Sequence, residues 1–176
     1  MKKFAAILAF AVISFGLSAQ MSSFPAVYEL ATLELENGDT YEVVRIPKDS
    51  VNHYFLHIGS MAIGGRVIAF DVDPVNRLYI PLGTTLKDAI ARMEELKALL
   101  KQPKGTTMDI QASFGPFFPK EKMQTVHVTT RKLLGTSLEF VIDKDGYKRV
   151  SSISKSDFSG LLLTTKLYSK THKKEK

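Results

Sequence analysis

From residue 32 the chain is written as short strand-like segments, the first of them strictly alternating, and at 85–101 it switches to helical spacing. Alternation over four to eight residues is the mark of a half-buried strand, because successive side chains point to opposite faces of a sheet. Thr32-Leu-Glu-Leu-Glu36 has it, and Asn37-Gly38 follows, the dipeptide that best tolerates the positive φ angles of a type I′ turn. Residues 40–46, rich in Tyr and Val, return as the partner strand. Further strands are expected over 51–58, 66–73 and 77–80, with Pro74-Val75-Asn76 turning the last pair. Four more follow at 106–114, 125–132, 137–142 and 147–153, with Asp143-Lys-Asp-Gly146 as a second hairpin turn.

In the helical stretch Leu86, Ile90, Met93, Leu96 or Lys97, and Leu100 fall on one face. Thr85 caps its start, and Asp88 three residues on completes a variant of the capping box. Pro103 and Gly105 end it. A one-faced stripe packs against a sheet. Residues 156–168 read two ways: Phe158, Leu161, Leu162, Thr165 and Tyr168 fit a helix capped by Ser156, while Leu161-Leu-Leu-Thr-Thr165 also suits a buried strand. The stripe favours a helix. Ile46-Pro-Lys48-Asp49 and Ile153-Ser-Lys155-Ser-Asp157 echo one another faintly, which a shared hairpin grammar explains without a duplication. The fold class expected is α+β: mostly antiparallel strands in a sandwich or partly closed barrel, a central amphipathic helix at 85–101 and a C-terminal helix.

The ends carry their own signals. Lys2 and Lys3 precede an apolar run from Phe4 to Leu17, and Ser18-Ala19-Gln20 supplies a small residue for signal peptidase. The run is short of the roughly 20 residues that a spanning helix needs. Residues 1–19 therefore read as a cleavable signal peptide, 20–168 as one β-rich domain, and 169–176 as a basic disordered tail. The expected destination is the periplasm or the exterior, with no transmembrane span left after cleavage. Cysteine is absent, which rules out disulfides, thiol catalysis and Cys-ligated metals, so stability rests on a hydrophobic core. The formal net charge is +6, but Lys2 and Lys3 lie in the leader and Lys166, Lys170, Lys173, Lys174 and Lys176 crowd the end. The body is close to neutral, and no nucleic-acid partner is expected.

Chemistry is sparse. His53 and His57 have H-x-x-x-H spacing, which gathers two rings on one metal in a helix; on a strand the same spacing spans about 13 Å. Asp71 and Asp73 project from one face of a strand about 7 Å apart, a tolerable distance for an acid/base pair, and are the weak catalytic candidates. As calcium loops, the segments beginning at Asp71 and Asp143 lack the bidentate glutamate, with Leu82 and Ser154 in its place. Gly59, Gly64 and Gly65 are followed by no Lys-Ser/Thr, Ser152-Ile-Ser-Lys155 matches S-x-x-K by letter alone, and G-x-S-x-G is missing. Neither a metal nor a cofactor is called for. His127 shares a face with Thr129 and Arg131, and His127 and Arg131 are weak ligand-pocket candidates against the plainer reading of a solvated sheet face.

The most unusual segment is Ser113-Phe-Gly-Pro-Phe-Phe-Pro-Lys-Glu-Lys122, whose prolines and glycine forbid a regular strand. Phe114, Phe117 and Phe118 either cap the end of the core or form an apolar patch for a ligand, partner or lipid surface, rimmed by Lys120 and Lys122. The function expected is non-catalytic: a binding or interaction module for an unknown ligand or envelope component. The alternative is a small hydrolase of envelope polymers working through the Asp71/Asp73 pair.

Overall fold

The computed structural model describes residues 26–59, 62–63, 77–117, 122–144 and 147–172. The proposed leader, the strand expected at 66–73 with Asp71 and Asp73, Phe118 and the last four lysine-rich positions lie outside them. The elements are β1 (Tyr28–Glu34), β2 (Thr40–Lys48), β3 (Val51–Gly59), β4 (Ala62–Ile63), β5 (Leu78–Gly83), α1 (Leu86–Leu99), β6 (Thr107–Ala112), β7 (Gln124–Lys132), β8 (Thr136–Lys144), β9 (Tyr147–Ser154) and α2 (Lys155–Thr171). The fold is α+β and mostly β. One antiparallel sheet has the order β1-β2-β3-β5 and the other β4-β9-β8-β7-β6, with β4 a two-residue edge strand. Tyr79 and Ser113 bridge the two sheets through paired backbone hydrogen bonds of 2.7 and 3.0 Å, and the described strands form no closed barrel.

Both helices pack on one shared core. Tyr41, Val43, Leu56, Ile58, Leu78 and Ile80 from the first sheet meet Ile110, Val126, Val128, Leu138, Phe140 and Ile153 from the second. Leu86, Met93 and Leu96 of α1 and Phe158, Leu161 and Leu162 of α2 complete it. The Glu94–Lys166 ion pair ties the helices together at the surface. Thr130 on β7 donates its buried hydroxyl to the Leu99 carbonyl at 2.8 Å, satisfying one of the open acceptors at the end of α1.

The two helices start in the same way. Thr85 and Ser154 each accept from the backbone N–H three residues on and donate to that residue's carboxylate, Asp88 and Asp157. The cap of α2 is thus Ser154 and not Ser156, and α2 continues to Thr171, into the stretch expected to be tail. Asp49 and Asp157, paired in the faint echo, occupy unlike places, a strand turn and a first helical turn. Each helix does follow four strands of one antiparallel sheet, β1, β2, β3 and β5 before α1 and β6 to β9 before α2, with the two-residue β4 the exception.

Two turns differ from expectation. In the first hairpin Gly38 alone has a positive φ, +84°, while Leu35 donates to Asp39 and Gly38 to Leu35, both at 2.9 Å. That is a three-residue loop with glycine in the left-handed position, not a two-residue type I′ turn at Asn37-Gly38. The two-residue turn with both φ angles positive is Asp49-Ser50, at 51° and 65°, joining the paired residues Lys48 and Val51. β5 also runs through Pro81, past the expected end at Ile80; it is the edge of its sheet, where a missing N–H is tolerated.

A side chain in the left-handed region costs on the order of 1 kcal/mol, which glycine avoids at some expense in unfolded-state entropy. Ser50→Gly is therefore expected to stabilise the protein by about 0.5–1 kcal/mol in urea melts. A loss would mean that the Ser50 side chain itself holds the turn.

Candidate functional site

The face of the first sheet turned away from the shared core is not a plain solvated surface. Register sets its composition: β2 and β3 pair Glu42 with His57, Val44 with Phe55 and Ile46 with His53, while β3 and β5 pair His57 with Tyr79. Strand alternation sends Tyr41, Tyr54, Leu56 and Ile58 inward and leaves these pairs on the outer face. There Val44, Ile46 and Phe55 form a second buried cluster against which Tyr79 and Phe117 pack.

Phe117 arrives from outside the sheet. The Tyr79–Ser113 bridge fixes the start of its loop, and the Ser113 hydroxyl donates to the Gly115 carbonyl at 2.6 Å. The ring then lies edge-on to Phe55 at 5.9 Å and to His53 at 5.2 Å, with the Lys48 ammonium 4.6 Å from its centroid. His53, Tyr79 and Phe117 remain partly exposed, so the face presents aromatic edges between Lys48 and Glu42.

His57 is the chemical centre of this face. Its Nδ1 lies 2.7 Å from Glu42 Oε2, and its ring stacks on Tyr79 at 4.5 Å. The carboxylate can only accept, so the ring donates its Nδ1 proton to Glu42. Nε2 is buried and has no hydrogen-bond partner among the described residues. Burial holds the Tyr79 phenol above its ordinary value, opposed by the Arg77 guanidinium, so the phenol stays protonated.

The candidates read from sequence are divided among separate places. Phe114 is half-buried against the shared core, with the Arg149 guanidinium 5.7 Å from its ring, apart from Phe117. His127 and Arg131 lie on the outer face of the second sheet, each half exposed and each engaged, His127 with Asp109 at 2.6 Å and Arg131 with Glu139 at 2.6 Å. Thr107–Thr129 and Gln111–Thr125 hydrogen bonds continue that polar ladder. Among the described residues, no three His, Asp or Glu side chains gather as metal ligands.

Two features were not singled out from sequence. In the interior, the Tyr41 hydroxyl lies 2.5 Å from Ser151 Oγ, which donates to Asp39 Oδ2 at 2.6 Å. At the surface, the β7–β8 loop carries Leu133 and Leu134 at 84% and 102% exposure. A leucine left in water forgoes roughly 1.5–3 kcal/mol of burial, so two in a row on a loop call for a reason. The signal was in view: Lys132-Leu-Leu-Gly-Thr136 puts two leucines where turns place polar residues. Comparisons with protein-family models, with curated proteins and with solved structures find no match to this chain.

Proposed function

We propose that the protein is an exported, non-catalytic binding module of the cell envelope, and that it takes its ligand on the outer face of the first sheet. The observation that carries this reading is the row of partly exposed rings of His53, Phe117 and Tyr79 on one sheet face, between Lys48 and Glu42. Aromatic edges with a few convergent polar groups suit a ligand having both apolar faces and hydroxyl or amide groups, as envelope polysaccharides and their peptides do. Export is supported by the basic, apolar and small-residue order of the first nineteen positions.

Sedimentation with purified peptidoglycan sacculi tests the reading. The protein is expected to co-sediment, to lose about tenfold in affinity in the Tyr79→Ala variant, and to release no reducing ends or free amines. Equal sedimentation of Tyr79→Ala, or none by the parent protein, overturns this site and ligand class. Release of soluble fragments favours the hydrolase reading through Asp71 and Asp73.

A further inference from the structure

We infer that the β7–β8 loop is a membrane-docking tip, in which Leu133 and Leu134 enter the apolar layer of a bilayer and the lysines around them engage anionic headgroups. The inference stands on a different surface from the aromatic face and does not depend on it.

β7 and β8 pair to Lys132–Thr136, so residues 133–135 form the end of a long hairpin held by the rest of the sheet. Leu133 and Leu134 both project from it, the second as exposed as in an unfolded chain. Leu133 shares a surface hollow with Lys104, Arg131 and Lys132, and Leu134 shares one with Lys155 and Ser156. Arg131 is matched by Glu139. Lys104, Lys132 and Lys155 are exposed and form no ion pair with the described residues, so they give the tip a net positive charge.

The chemistry selects the occupant. A protein groove that received two leucines would be expected to meet them with aromatic residues or arginine around the contact, since lysine is depleted at protein interfaces. A second copy of this chain would set one lysine-ringed tip against another. A bilayer with anionic lipids fits both parts, because leucine gains from the hydrocarbon boundary while long lysine side chains reach headgroup phosphates. Among the described residues no helix is long and apolar enough to cross a membrane.

The chain contains no tryptophan, so Leu134→Trp installs a single fluorophore at the tip. With the exported protein, vesicles of phosphatidylcholine and phosphatidylglycerol are expected to shift that emission to the blue, and vesicles of phosphatidylcholine alone to shift it much less. In flotation, Leu133→Ser/Leu134→Ser and Lys104→Gln/Lys132→Gln/Lys155→Gln are each expected to bind the anionic vesicles about tenfold more weakly than the parent. All these side chains are solvent-facing, so the variants should melt with the parent, and a shared N-terminus cancels any contribution from an uncleaved leader. An unshifted tryptophan, or flotation unchanged in the leucine variant, overturns the inference. A parent dimer that the leucine variant abolishes, without vesicle binding, also overturns it and assigns the tip to self-association.

Discussion

Tyr41→Ala is expected to cost about 3–5 kcal/mol, a large part of the roughly 5–15 kcal/mol by which a domain is folded. Tyr41 is wholly buried, with its ring tilted against Phe140 of the opposite sheet at 6.0 Å. Truncation opens a cavity where the two sheets meet. It also removes a hydrogen-bond donor: Ser151 spends its proton on Asp39, so the Tyr41 hydroxyl donates to Ser151. Burial pushes the Tyr41 phenol far above its ordinary range, which keeps that proton in place. Tyr41→Phe keeps the ring and loses only the donor, so it should cost about 1–2 kcal/mol. Urea melts of both variants separate packing from polarity. Equal losses would mean that the hydroxyl chain, not the ring, carries the contribution of Tyr41.

The same chain of donors gives a pH dependence of definite sign. Burial raises the Asp39 carboxyl above its ordinary value of 3.8, opposed by hydrogen bonds from Ser151 and Asn37. The folded protein therefore keeps this proton to higher pH than the unfolded chain does. The Asp39 contribution is most favourable below the ordinary value and declines as pH rises through the raised one. Asp39→Asn retains an acceptor without the charge, and should flatten this part of the stability–pH curve. Parallel curves for parent and variant would remove Asp39 as its source.

Phe158→Ala is expected to cost about 3–5 kcal/mol, against about 1–2 kcal/mol for Phe117→Ala. Phe158 is fully buried in the first turns of α2, within the core that both sheets and both helices share. Phe117 is half-buried and touches only the small outer cluster, through Phe55 and His53 at one side and Lys48 at the other. Neither of the two readings of the phenylalanine loop is sufficient alone. Phe114 packs on the shared core, while Phe117 covers a separate face and leaves part of its ring in water. Denaturant melts of the two alanine variants measure this division, and equal costs would contradict it.

Local chemistry alone settled the kind of most described elements, though residues 156–168 fitted a strand as well as the helix they form. Alternation at 32–36 marked the first hairpin, Tyr and Val content marked β2, and Thr85 with Asp88 marked the start of α1, because each signal acts within a few residues. Part of the candidate site was within reach by the same means. A two-residue turn at Asp49-Ser50 fixes Lys48 opposite Val51, and counting back along both strands sets Glu42 opposite His57. Neither turn residue is glycine, however, so the sequence does not advertise the positive φ angles they adopt. The other decisions belong to the tertiary structure. Asp39 and Ser151 meet across 112 positions, and Phe117 reaches His53 through a loop aimed by the bridge between the sheets. Leu161 and Leu162 are buried while Leu133 and Leu134 are not, although both pairs read alike as letters. No local propensity distinguishes such cases, because which apolar residues leave water depends on how two sheets and two helices close on one another.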